Sequence, residues 1–112
     1  MKLVVLGAGE SGTGAALLGK KLGYEVFVSD KGKVAGKYQN VLNKSGIKWE
    51  EGKHSSSLLE GADLVVKSPG IPGEVPVVQK FRQAGVSVIS EIEFAGRHTD
   101  AKLIAITGTN GK

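Results

Sequence analysis

The spacing of three glycines, Gly7, Gly9 and Gly12, constrains this chain more than any other feature. They lie in Gly7-Ala8-Gly9-Glu10-Ser11-Gly12, after a β-branched and aliphatic run from Lys2 to Leu6 and before a segment in which Ala15, Leu18 and Leu22 recur at helical spacing. A G-x-G-x-x-G pattern between a strand and a helix is the turn that dinucleotide-binding folds use to hold phosphate. Gly7 permits the tight turn, Gly9 lets a phosphate approach without a Cβ in the way, and Gly12 lets the helix pack closely on the strand. The first turn of the helix then offers unpaired N–H groups and about half a positive charge to an anion. Gly23 closes the helix as a C-terminal glycine does.

The same alternation continues down the chain. Glu25 to Ser29 predicts a second strand, Val34 to Lys44 a helix ended near Gly46, and Ile47 to Glu50 a weaker third strand. A short helix over Ser55 to Glu60 precedes a fourth strand, Asp63 to Lys67. Val75 to Ala84 is helical, Val86 to Ile89 a strand, Ile92 to Arg97 a short helix, and Lys102 to Thr107 a last strand. Short apolar strands separated by helices imply parallel pairing, because each crossover must carry the chain back across the sheet. The expected fold is α/β: a Rossmann-like, doubly wound, mostly parallel sheet of five or six strands with helices on both faces. Residues 1–105 form one domain, and 106–112 begin a second glycine loop.

A length of 112 residues suits a single core. Fifteen Lys and Arg against eleven Asp and Glu give a net charge of +4, but the cations are spread along the chain. With one Trp, two Tyr and three Phe there is little for bases to stack on, so nucleic acid is not the expected partner and a small anion is. The absence of Cys excludes disulfides, thiolate catalysis and thiolate metal sites. His54 and His98 are far apart without a third ligand nearby, and are read as surface or capping residues rather than a metal site. No apolar run reaches the ~18 residues of a membrane span, and residues 1–6 lack the long apolar region of a signal peptide, which points to the cytoplasm.

The remaining chemistry clusters at strand ends. Asp30 follows the second strand, where dinucleotide enzymes place the acid that holds a ribose hydroxyl; Asp30 and Lys31 could equally meet the base or ribose of a uridine nucleotide. Ser68-Pro69-Gly70-Ile71-Pro72 closes the fourth strand on the same edge, as a stiff wall in which Gly70 allows close approach. Glu10 is expected to turn its carboxylate to solvent or a sugar hydroxyl. Glu91 and Glu93 read as helix-start acids favoured by the macrodipole. Gly108-Thr109-Asn110-Gly111-Lys112 follows a strand like the start of a phosphate loop, although Ile106 stands where the usual pattern has Gly. No nucleophile with a plausible base is visible, so no catalytic residue is assigned.

Taken together, the G-x-G-x-S-G loop, Asp30, Ser68 to Pro72, Glu91-Ile92-Glu93 and the terminal Ile106 to Lys112 resemble the Mur ligase family in order and spacing. The resemblance covers the whole chain as the first domain of a three-domain enzyme of peptidoglycan synthesis, and is nearest to the members that join D-glutamate to UDP-N-acetylmuramoyl-L-alanine. It implies that this domain grips the UDP part of that substrate, while a central domain binds ATP and Mg²⁺ and a C-terminal domain brings the amino acid. The domain alone would need no cofactor and would be inactive. Gly9, Glu10, Ser11 and Gly12 would line the diphosphate and uridine site, Asp30 and Lys31 the uracil end, and Ser68, Pro69, Gly70 and Ile71 the opposite wall. Gly108, Thr109, Asn110, Gly111 and Lys112 match the beginning of the family's ATP loop. One departure concerns uracil: where family members have Thr then Arg after the strand-two Asp, this chain has Lys31 and Gly32, so that Lys31 or Lys33 would substitute. Two other readings stay open on the glycine loop, a regulatory module that senses NAD or ATP and the cofactor half of an NAD-dependent dehydrogenase.

Overall fold

The computed structural model describes residues 1–55, 60–68, 70–71 and 75–98. The interior of the expected helix over 55–60, Pro69, Pro72, the expected strand over 102–107 and the loop 108–112 lie outside them. The described elements are β1 (Lys2–Leu6), α1 (Glu10–Lys21), β2 (Glu25–Asp30), α2 (Gly36–Lys44), β3 (Lys48–Glu51), β4 (Ala62–Lys67), α3 (Pro76–Gln83), β5 (Ser87–Ser90) and α4 (Glu91–His98).

The strands form one sheet in the order β3-β2-β1-β4-β5, with every neighbouring pair parallel. The doubly wound α/β expectation is borne out. After β1 the chain winds outward through β2 and β3, then crosses back to lay β4 on the other side of β1. The reversal makes a crevice between the carboxyl ends of β1 and β4, where ligands settle in open α/β sheets.

Side-chain alternation in β1 explains why helices cover both faces. Leu3 and Val5 join a core with Ala15 and Ala16 of α1, Leu42 of α2 and Phe94 of α4, whereas Val4 and Leu6 join Val65 with Val78 and Phe81 of α3. Phe81 and Phe94, both fully buried, anchor the opposite faces. Phe94 also meets the Tyr24 ring edge-on, with centroids 6.0 Å apart.

Expected and observed boundaries differ by a residue or two, and the physical cause is visible for α2. That helix starts at Gly36 instead of Val34 because the Val34 amide donates to Glu51 Oε1 (2.8 Å) and its carbonyl accepts from Gln39 Nε2 (2.9 Å), while Ala35 stays extended. Helix α4 follows β5 without a loop, since the Ser90 hydroxyl accepts from the Glu93 amide at 3.0 Å and caps the new helix.

Candidate functional site: a glycine loop beside a lysine-rimmed cavity

Backbone ladders persist one residue past the strands. The Gly7 amide donates to the Ser29 carbonyl (2.8 Å) and the Ser68 amide to the Leu6 carbonyl (3.0 Å), which brings the ends of β2, β1 and β4 to one level. Gly7 then turns with φ +99°, and a Cβ there would stand 2.8 Å from Ser68 Cβ and 3.4 Å from Ile71 Cδ1. A Cβ on Gly12 would lie 1.8 Å from the Gly7 carbonyl oxygen. The back of the loop is therefore closed against the chain itself.

The front is open. Gly9 is the N-cap of α1, in an extended conformation, and nothing lies within 4 Å of where its Cβ would be. The first intrahelical bond runs from Thr13 N to Gly9 O (2.9 Å), so the amides of Glu10, Ser11 and Gly12 have no partner among the described residues. Glu10 and Ser11 are exposed, as expected for Glu10. The loop presents a run of free backbone N–H groups, the arrangement that suits an anion, with open space in front of Gly9 among the described residues.

Asp30 organises this loop from the neighbouring strand. Its Oδ2 accepts from the Ala8 amide and its Oδ1 from the Gly32 amide, both at 2.8 Å, and its carbonyl accepts from Gly52 N at 2.8 Å. Each carboxylate oxygen keeps a lone pair for a ligand.

Beyond Asp30 opens a cavity of about 470 Å³. Asp30, Lys31, Lys53 and His54 form one side, and Ile71, Val77 and Lys80 the other. Ile71 also packs against the Gly7 turn, and Asp30 holds the Ala8 amide, so two walls of the cavity adjoin the glycine loop. The Ile71 segment is fixed by its amide on the Ser68 carbonyl (3.0 Å) and by Lys67 Nζ donating to the Ile71 carbonyl (2.7 Å). Gly70 lines the cavity with Ile71, and Ser68 abuts the loop; Lys31 reaches the cavity, whereas Lys33 is not among its walls.

Two polar groups escape a reading of the sequence. His54 is half-buried, and its Nδ1 lies 2.7 Å from the hydroxyl of fully buried Ser29, which corrects its assignment as a plain surface or capping residue. The same hydroxyl lies 2.9 Å from Glu50 Oε2 and 3.0 Å from the Lys53 carbonyl. Burial pulls the Glu50 carboxyl upward, yet hydrogen bonds from the Ser55 amide and hydroxyl and from Ser29, with Lys53 nearby, hold it below the usual carboxylate range. Burial lowers the His54 imidazole, opposed by Glu50 and Asp30 and assisted by Lys31.

Glu91 is the second. It begins α4, as its helix-start reading requires, but is only 7% exposed, and its Oε2 is buried without a hydrogen-bond partner among the described residues. That oxygen sits behind the glycine loop, 3.6 Å from where a Gly12 Cβ would be. Burial raises its pKa, against the pull of Lys67. The sequence marks both residues but not these surroundings, because each acquires them from elements distant in the chain.

No helix among the described residues is long and apolar enough to cross a membrane. Comparison with known proteins gives a consistent picture. The protein named UDP-N-acetylmuramoylalanine–D-glutamate ligase in Bacteroides fragilis is 56% identical over 111 residues, covering 99% of this chain and 25% of that one. The protein of the same name in Ligilactobacillus salivarius is 46% identical over 112 residues, covering 99% and 24%. The chain thus spans about a quarter of the length of these relatives. Among solved structures, a murein peptide ligase from Psychrobacter arcticus superposes with a TM-score of 0.78 at 26% identity, over 88% of this chain and 20% of that one. A pseudomurein peptide ligase type C from Methanothermus fervidus gives 0.74 at 26% identity, over 88% and 21%. Residues 1–90 match the family described as Mur ligase MurD-like, N-terminal domain, and with the glycine loop and five-stranded sheet built as above, the chain belongs to that family.

Proposed function

We propose that this domain binds the UDP part of UDP-N-acetylmuramoyl-L-alanine, as the first domain of an ATP-dependent ligase that adds D-glutamate to it during peptidoglycan synthesis. One observation supports this above all: Asp30, which holds the Ala8 amide of the loop whose Glu10, Ser11 and Gly12 amides are unpartnered among the described residues, also lines a cavity of about 470 Å³. A pyrophosphate laid on the amides gains charge-assisted hydrogen bonds at the positive end of α1. The nucleoside then extends past Asp30 into the cavity, where the lysine rim suits the carbonyl oxygens of a pyrimidine.

In this reading Gly9, Glu10, Ser11 and Gly12 contact the diphosphate, Asp30 and Lys31 the uridine, and Ser68, Pro69, Gly70 and Ile71 the facing wall. Lys31 takes over the role of the family's Thr-Arg pair, since the Gly32 amide is committed to Asp30. ATP and Mg²⁺ act in the remainder of the longer protein, with Gly108, Thr109, Asn110, Gly111 and Lys112 contributing to the ATP loop. The domain alone carries out no ligation.

Calorimetric titration of the chain with UDP, UDP-N-acetylmuramoyl-L-alanine and NADH tests the assignment. Saturable binding of both uridine nucleotides, with NADH unable to compete, is expected. A folded chain that binds NADH and ignores millimolar UDP would overturn it and restore the dinucleotide-sensing and dehydrogenase readings. Incubation with ATP, D-glutamate and the muramoyl substrate should release no phosphate.

A further inference from the structure

The Ser29 hydroxyl has one proton and three polar neighbours, Glu50 Oε2, the Lys53 carbonyl oxygen and His54 Nδ1. An ionised carboxylate and a carbonyl can only accept. Ser29 must give its proton to one of them, so the remaining favourable arrangement has His54 donating from Nδ1 to the Ser29 oxygen. If Ser29 donated to the imidazole instead, its oxygen would face two acceptors at 2.9 and 3.0 Å with nothing between them. A neutral imidazole protonated at Nδ1 carries a lone pair on Nε2. His54 makes no hydrogen bond from Nε2 among the described residues, and the residue lines the cavity.

We propose that His54 is a base-selecting residue: anchored by Ser29 as the Nδ1–H tautomer, it offers Nε2 as the acceptor for the N3–H of a uracil ring in the cavity, and so discriminates uracil from cytosine. The inference rests on the uridine-binding reading above and adds a residue and a rule of selection to it. Uracil presents one donor, N3–H, between two carbonyl oxygens. The cavity offers the complement: His54 supplies a fixed acceptor among Lys31, Lys53 and Lys80, apart from Asp30, whose carboxylate oxygens already accept from the Ala8 and Gly32 amides. Cytosine carries a lone pair on N3 and would set two acceptors against each other, leaving a desolvated pair unsatisfied.

The charged groups around the ring are Asp30 and Lys31 at the end of β2, Glu50 on β3, Lys53 in the following turn and Lys80 across the cavity on α3. Burial of the ring keeps it neutral at physiological pH, in the accepting form. As pH falls through the imidazole's titration, Nε2 becomes a donor. Uracil then loses its partner and cytosine N3 gains one.

The test uses the 112-residue chain with UDP, CDP and 3-methyl-UDP, by calorimetry, together with long-range ¹H–¹⁵N spectra of the imidazole. For the wild type, UDP should bind about tenfold or more tightly than CDP or 3-methyl-UDP, a typical consequence of one unpaired buried acceptor. His54→Leu should bring UDP and CDP to within about twofold, and the wild-type preference should shrink as pH drops below the imidazole range. The spectra should show the Nδ1–H tautomer in the wild type, a readout that needs no variant to fold. UDP binding with no preference over CDP, a preference unchanged in His54→Leu, or an Nε2–H tautomer overturns the proposal while leaving the uridine reading in place. Failure of UDP to bind the wild type at all overturns both.

Discussion

The Oδ2 atom of Asp30 lies 2.8 Å from the amide nitrogen of Ala8, so the end of the second strand holds the first turn of the glycine loop. Asp30→Ala removes this bond and the one to Gly32, each made to a charged acceptor and worth about 1.5–3 kcal/mol, so stability should fall by about 3 kcal/mol or more. Asp30→Asn keeps one acceptor oxygen and should lose roughly half as much. If loop fixation is the main role, pyrophosphate should weaken about as much as UDP in Asp30→Ala, by roughly tenfold. Urea unfolding and calorimetry measure the two effects; loss of UDP affinity with pyrophosphate affinity intact would assign Asp30 to the nucleoside alone.

Gly12 and Gly9 should respond in opposite ways to the same added methyl. At Gly12 the Cβ meets the Gly7 carbonyl oxygen at 1.8 Å, a backbone atom that cannot swing aside. Gly12→Ala should cost about 3 kcal/mol or more, the upper end of overpacking penalties. At Gly9 there is open space and a negative φ, so stability should change by less than about 1 kcal/mol, while UDP affinity falls about tenfold because the methyl occupies the phosphate's approach. Chemical denaturation with parallel titration separates the two; a Gly12→Ala protein as stable as wild type would contradict the packing described.

Glu91 introduces a pH-dependent weakness. Its native carboxyl holds a proton more tightly than the unfolded one because burial penalises the charge, with Lys67 opposing. The native state is therefore favoured below the ordinary carboxylate range, and that advantage is lost as pH rises through the native titration. Glu91→Gln cannot ionise, so its stability relative to wild type should improve between about pH 4 and pH 7, by an amount on the order of 1 kcal/mol, typical of a buried group left unpaired. Urea midpoints at the two pH values test this, and a difference constant with pH would show that Glu91 does not titrate in that window.

Phe81 couples the second core to the site. It is a fully buried residue of α3, the helix that brings Val77 and Lys80 to the cavity. Phe81→Ala should lower stability by about 3–5 kcal/mol. At a temperature where the variant stays folded, UDP binding should weaken more than pyrophosphate binding, because Phe81 lies on the helix that carries Val77 and Lys80 and reaches the glycine loop indirectly, through the core it shares with Val4 and Leu6 of β1. Thermal unfolding and titration with both ligands would show the split, and equal weakening of the two would argue against it.

What could be read from the chain by itself is local. Period-two and helical spacing gave the order of strands and helices, Gly7, Gly9 and Gly12 gave the phosphate-type turn, and parallel pairing put Asp30, Ser68, Gly70 and Ile71 on the edge that carries this turn. Those signals survive because each depends on a few consecutive residues and on backbone geometry. The start of α2 was misplaced because Glu51 and Gln39 capture the backbone groups of Val34, a long-range competition that local propensity does not contain. Tertiary structure alone decided that Asp30 reaches back to Ala8, that Ser29 gathers Glu50 and His54 around one hydroxyl, and that Glu91 is buried behind Gly12. Alternation along a strand tells which side chains leave the solvent; which neighbours they meet there depends on how distant strands are ordered across the sheet.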